Sequence, residues 1–172
     1  MTKKQKTLSR VVFGIYLVWL LWLILFKLTL PLPGRGLPLL RGRSVEWIPF
    51  APRAIGPGQA AREMLDNLLV FVPFGAYLSA LFPGWKPWKR IAAGFALSLC
   101  FEVLQFVFAL GASDVTDVIM NTAGTLCGLF LWRVLQKLLR EKALPVMNVC
   151  GLAGEALFFA MMALVVIYNY FL

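Results

Sequence analysis

The sequence predicts an all-α membrane protein, a five-helix transmembrane bundle with the N-terminus cytoplasmic and the C-terminus outside. Three observations predict it. Of 172 residues, 60% are hydrophobic and the mean hydropathy is +0.79, well above the roughly 45–50% apolar content of a soluble domain. Five apolar windows, about 11–30, 64–82, 91–110, 115–135 and 152–172, approach the roughly 20 residues that cross a bilayer. Most of the 17 Lys and Arg, which bring the net charge to +9, lie before or between those windows. In such a chain they orient loops and meet anionic headgroups, and no nucleic-acid partner is expected.

The first window is too long for a signal-peptide core and lacks a small-residue cleavage site, so it reads as a retained helix. The loop 31–63 is rich in Pro and Gly at both ends (PLPGRGLP, PFAPRAIGPG), which break helices. Its middle, SVEWIPF, is apolar enough to lie partly on the membrane surface. After Pro57, GQAAREMLDNLLVFVPFGAYL reads as one helix starting above the membrane. Pro73 within it removes the bond to the Leu69 carbonyl and predicts a kink. The third and fourth windows flank a short turn at 111–114, and the fifth ends the chain.

Orientation follows from the basic residues. If every window crosses, Lys3, Lys4, Lys6, Arg10, Lys86, Lys89, Arg90, Arg133, Lys137, Arg140 and Lys142 share one side. The other side receives Lys27, Arg35, Arg41, Arg43, Arg53 and Arg62. Eleven against six places the first group in the cytoplasm. No internal repeat is evident, and no loop is long enough for a soluble domain, so residues 1–172 read as a single transmembrane unit.

The chain has no histidine. That excludes a Ser-His-Asp triad, a Cys-His dyad and any His-ligated metal. Cys100, Cys127 and Cys150 lie in apolar stretches without a CxxC and read as buried, inert thiols. No metal site or cofactor is expected, although oxygen-only binding of Mg²⁺ or Ca²⁺ stays open.

The informative stretch is CFEVLQFVFALGASDVTDVIMNTAGTLCG, residues 100–128, which carries Glu102, Gln105, Asp114, Asp117 and Asn121 among apolar residues. At a helical rise of about 1.5 Å per residue, Glu102 lies roughly 12 Å below the outer end of its span and Gln105 roughly 7 Å. Asp117 lies about 3 Å deep and Asn121 about 9 Å, entering from the same side. Asp66 and Asn67 sit at that surface on the second span. Asp114, Asp117, Asn121 and Gly124 share one helical stripe, as do Glu102 and Gln105. Gly124 with Gly128, and Gly94 with Ser98, are small-xxx-small pairs that let helices approach closely. An acid at mid-membrane costs about 2.5–3.5 kcal/mol, so these residues are expected to face one another in a pocket between spans two, three and four, open outside. Lys27 is a candidate counter-ion, or else an anchor that reaches the headgroups.

Plainer roles compete for each residue. Asp114 or Ser113 suits an N-cap and Asp117 suits the helix dipole. Asp66 and Asn67 suit the headgroup region. Glu102 and Asn121 suit a structural interhelical bond. Glu155 suits the first turn of the last helix, and the loop arginines, Arg43 and Arg62 among them, suit headgroup contact.

Several blocks resemble the VanZ-like family: REMLDNLLVFVPFG (62–75), FEVLQFVFALGASDVTDVIMNTAG (101–124), LVWLLWLILFKL (17–28) and RSVEWIPF (43–50). The resemblance spans roughly 10–138 and fades over the last helix. It implies a small bacterial protein, multi-pass in the cytoplasmic membrane, that lowers susceptibility to teicoplanin, a lipoglycopeptide that binds cell-wall precursor stems ending in D-Ala-D-Ala. The family's polar motif maps onto Asn67, Glu102, Gln105, Asp114, Asp117 and Asn121.

Three functions are expected to compete. The first is a non-catalytic binder at the outer leaflet for the lipid-tailed drug or the lipid-linked peptidoglycan precursor. Acids would meet the drug's amines, and loop arginines would meet pyrophosphate or carboxylate. The second is an enzyme in which Glu102 and Asp117 act as general acid and base on a cell-wall intermediate; no nucleophile or phosphate loop supports it. The third is a proton-coupled transporter or flippase with Glu102 as the proton site, for which five spans lack two matching halves. A homodimer through the GxxxG pair would give it a fuller path.

Overall fold

The computed structural model describes residues 3–26, 44–51 and 56–171. Five long α-helices dominate: α1 (Lys3–Phe26), α2 (Pro57–Leu81), α3 (Pro87–Val107), α4 (Val115–Leu139) and α5 (Ala143–Phe171). Two three-residue strands, β1 (Ser44–Glu46) and β2 (Ala112–Asp114), pair in parallel, with Val45 opposite Ser113. Among the described residues, four helical stretches are long and apolar enough to cross a membrane: Lys4–Ile24, Pro57–Leu81, Pro87–Val107 and Val115–Leu164. The chain is a helical membrane protein.

Local chemistry sets the boundaries. Pro57 and Pro87 open α2 and α3, where a missing N–H costs nothing because first-turn donors have no intrahelical partner. Asp114 caps α4, its Oδ1 accepting from the Thr116 N–H at 2.6 Å. Arg140, at φ 48°, ends α4, and a 3-10 turn at Arg140–Lys142 leads into α5. The fourth apolar stretch therefore contains a reversal.

Close approach organises the bundle. Gly124 and Gly128 of α4 face α2 backbone: a Cβ on either would collide with the carbonyls of Leu68 and Val72. Gly75 of α2 meets the Thr125 carbonyl in the same way, and Gly94 of α3 meets the Thr125 side chain. The GxxxG pair is thus used inside the chain, and a homodimer would need another surface. One apolar cluster joins Leu20, Ile24, Phe71, Phe74 and Phe101. A second, at the opposite end, joins Val12, Ala80, Trp132, Leu144 and Met147. Helix α5 climbs beside α1 in the same direction, since Asn148 donates to Ser9 at 2.9 Å and Phe158 meets Trp19.

Several sequence expectations are corrected. Helix α5 begins at Ala143, not near 152, because Pro145 falls in its first turn, where proline is tolerated. Glu155 consequently lies in the fourth turn and is no first-turn acid. The SVEWIPF stretch is not only a surface segment: SVE is a strand docked on the α3–α4 corner, while Trp47, Ile48 and Phe50 are exposed. The three cysteines are exposed, not buried, on helix faces that lipid would cover. Helices α1 and α3 also start earlier than the apolar windows, at Lys3 and Pro87.

Candidate functional site

The α3–α4 corner is built around one acid. Glu102 is buried in the penultimate turns of α3. Beyond Val107 the chain turns through Ala109, at φ 53°, and the Leu110 N–H returns to the Gln105 carbonyl at 2.9 Å. The Asp114 N–H then donates to Glu102 Oε2 at 2.8 Å, and Ser113 Oγ donates to the Glu102 carbonyl at 2.8 Å. Glu102 thus holds the cap of α4, whose Asp114 holds the first turn. The strap 44–51 closes over this corner through β1 and through the Phe50 N–H, which donates to Thr116 Oγ1 at 3.1 Å.

Beside the corner lies a cavity of about 420 Å³, lined by Leu23 and Ile24 of α1, by Arg62, Glu63, Asp66, Asn67, Leu69 and Val70 of α2, by Glu102, and by Asp117 and Asn121. Asn121 is 1% exposed, Asp117 3% and Glu102 5%, whereas Asp66 and Arg62 stand at the exposed rim. Asn121 Nδ2 donates to Ser98 Oγ at 2.8 Å, which fixes the amide and leaves its Oδ1 without a hydrogen-bond partner among the described residues. Among the described residues, the lining carries four carboxylates, Glu63, Asp66, Glu102 and Asp117, and one guanidinium, Arg62. Among the described residues, no group of three or more Cys, Asp or Glu is arranged to hold a metal ion.

On the far side of Glu102 runs an apolar cleft of about 330 Å³, walled by Val45, Trp47, Leu99, Val103, Phe106, Val115 and Val118, with Ser113 and Asp114 at one edge. Glu102 lines both spaces.

The structure brings Asn67, Glu102, Asp117 and Asn121 to one cavity. It does not bring Gln105 there: its Nε2 donates to the Ile24 carbonyl at 2.8 Å, tying α3 to the end of α1. Asp114 lines the apolar cleft instead. Arg62 lines the cavity at its rim. Lys27 and Arg43 lie outside the described residues. Sequence reasoning missed Glu63 and saw Ser98 only as a small residue. Glu63 was findable, since it lies three and four residues before Asp66 and Asn67 on the same helix face.

Residues 13–136 match the family model described as VanZ/LLP1. A relative from Enterococcus faecium, "Protein VanZ", is 42% identical over 141 residues, covering 81% of this chain and 82% of the relative. No solved structure matches the chain.

Proposed function

This chain belongs to the VanZ/LLP1 family, and from that premise we propose that it lowers susceptibility to teicoplanin by binding a lipid-tailed ligand at the outer leaflet. The single observation that carries this reading is the cavity in which Asn67, Glu102, Asp117 and Asn121 meet. Carboxylates on its lining suit the amines of the drug, and Arg62 at the rim suits the pyrophosphate or carboxylate of a lipid-linked precursor. The cleft beyond Glu102 suits a hydrocarbon tail, so head and tail would straddle that residue.

In this reading all five helices cross. The N-terminus is cytoplasmic and the C-terminus outside, so the cavity faces the side where drug and precursor headgroup reside. The basic residues of the α2–α3 turn and of the α4–α5 turn support that orientation.

Glu102→Gln and Asp117→Asn are expected to abolish resistance while membrane abundance stays at the wild-type level. Purified variants in nanodiscs should bind teicoplanin at least about tenfold more weakly, a change of about 1.4 kcal/mol. Undiminished resistance in both variants rejects the cavity as the active feature. Because Glu102 and Asp117 line the same space, a carboxylate-dependent enzyme acting on a cell-wall intermediate is the second reading. An altered precursor pool by mass spectrometry, restored in both variants, would favour it over binding.

A further inference from the structure

Helix α5 lies beyond the matched residues 13–136 and carries an acid that the cavity above does not use. Glu155 sits in the fourth turn of α5, roughly 18 Å along its axis. Its Oε1 is buried and has no hydrogen-bond partner among the described residues. Glu155 lines a separate crevice of about 210 Å³ between α1, α2 and α5. Four aromatic rings share the lining, Tyr16 and Trp19 from α1, Tyr77 from α2 and Phe158 from α5, with Leu23, Pro73 and two glycines of α5 completing it. Trp19 and Phe158 meet edge to face at 4.4 Å. The tyrosine hydroxyls are committed to backbone, Tyr16 to the Val70 carbonyl at 2.6 Å and Tyr77 to that of Met147 at 3.3 Å. Both residues therefore offer the crevice their rings. Among the described residues, no lysine or arginine lines it.

Gly154, four residues before Phe158 on one face of α5, lines the crevice and has nothing within 4 Å of where a Cβ would stand. A carboxylate within hydrocarbon calls for a counter-charge. Aromatic ring faces attract cations, most strongly where water is absent. An alkyl chain on that cation would meet only apolar wall and lipid.

We propose that this crevice binds the ammonium head of a lipophilic amine entering sideways from the bilayer, with Glu155 as counter-ion and the four rings as wall. At about 30 Å³ for a water-sized group, the space holds an ammonium and its first few carbons, and it is far too small for a lipoglycopeptide. The site is independent of the teicoplanin reading.

The test uses the full chain in nanodiscs of zwitterionic lipid, with decylammonium carrying a photoactivatable diazirine. Labelling of the peptides that contain Trp19 and Phe158 should saturate and be competed by plain decylammonium, not by decanol. Glu155→Gln should cut that labelling at least tenfold with its thermal unfolding unchanged. Phe158→Leu should cut it severalfold while keeping the acid. Teicoplanin binding should be the same in Glu155→Gln as in wild type. Equal labelling by a neutral diazirine alcohol, or full labelling of Glu155→Gln, overturns the proposal and leaves a crevice filled by lipid alone.

Discussion

Glu102 Oε2 meets the Asp114 N–H at 2.8 Å, so one side chain both lines the cavity and fastens the start of α4. Glu102→Gln keeps an acceptor for that N–H, whereas Glu102→Ala leaves it buried and unpaired, a loss of about 1–3 kcal/mol. Thermal unfolding in detergent should therefore fall clearly for alanine and little for glutamine. Asp114→Ala, which removes the cap on the Thr116 N–H, should cost about 1 kcal/mol in the same assay. A glutamine variant that unfolds as early as the alanine variant would show that the cap bond contributes little. At this scale much of the site was legible, because an acid or amide in hydrocarbon is costly wherever it does not face a partner. Gln105 was not, because an amide bonds any carbonyl and its partner, Ile24, lies 81 residues away.

Helices α2 and α4 are in backbone contact through Gly75, Gly124 and Gly128. The atoms that an added Cβ would strike there are mostly main chain, which cannot swing aside. Overpacking a core typically costs about 1–3 kcal/mol, and Gly124→Val or Gly128→Val should exceed that range. Both variants should fail to give a monodisperse peak by fluorescence-detected size exclusion. Gly58→Ala, with nothing within 4 Å of its Cβ position, should behave as wild type. The small-residue spacing made the α4 surface legible, and hydropathy made the helices legible. The strands were hidden because three residues are too few to show alternation and their pairing is set by tertiary position. The start of α5 was hidden because Pro145 and the basic residues before it read as loop.

Across the molecule, the strap 44–51 joins the α3–α4 corner in a fixed register, with Ser44 opposite Ala112. In a chain with Cys100, Cys127 and Cys150 replaced by serine, Ser44→Cys with Ala112→Cys should form a disulfide on mild oxidation, read by mass spectrometry of the digested protein. Ser44→Cys with Ala109→Cys should not. With the proposed orientation, a membrane-impermeant thiol reagent applied to whole cells should block the first bond; reagent that acts only after lysis would reverse the orientation. The docking of the strap on the corner was not legible in the sequence, since it depends on residues far apart along the chain. That separation has a consequence for synthesis. The Phe50 N–H waits for Thr116, 66 residues later, and joining such distant segments is entropically late. During translation the strap therefore has no docking partner until the third and fourth helices have left the ribosome and inserted. A nascent chain stalled before Thr116 would leave the strap undocked and the apolar cleft without its Val45 and Trp47 wall.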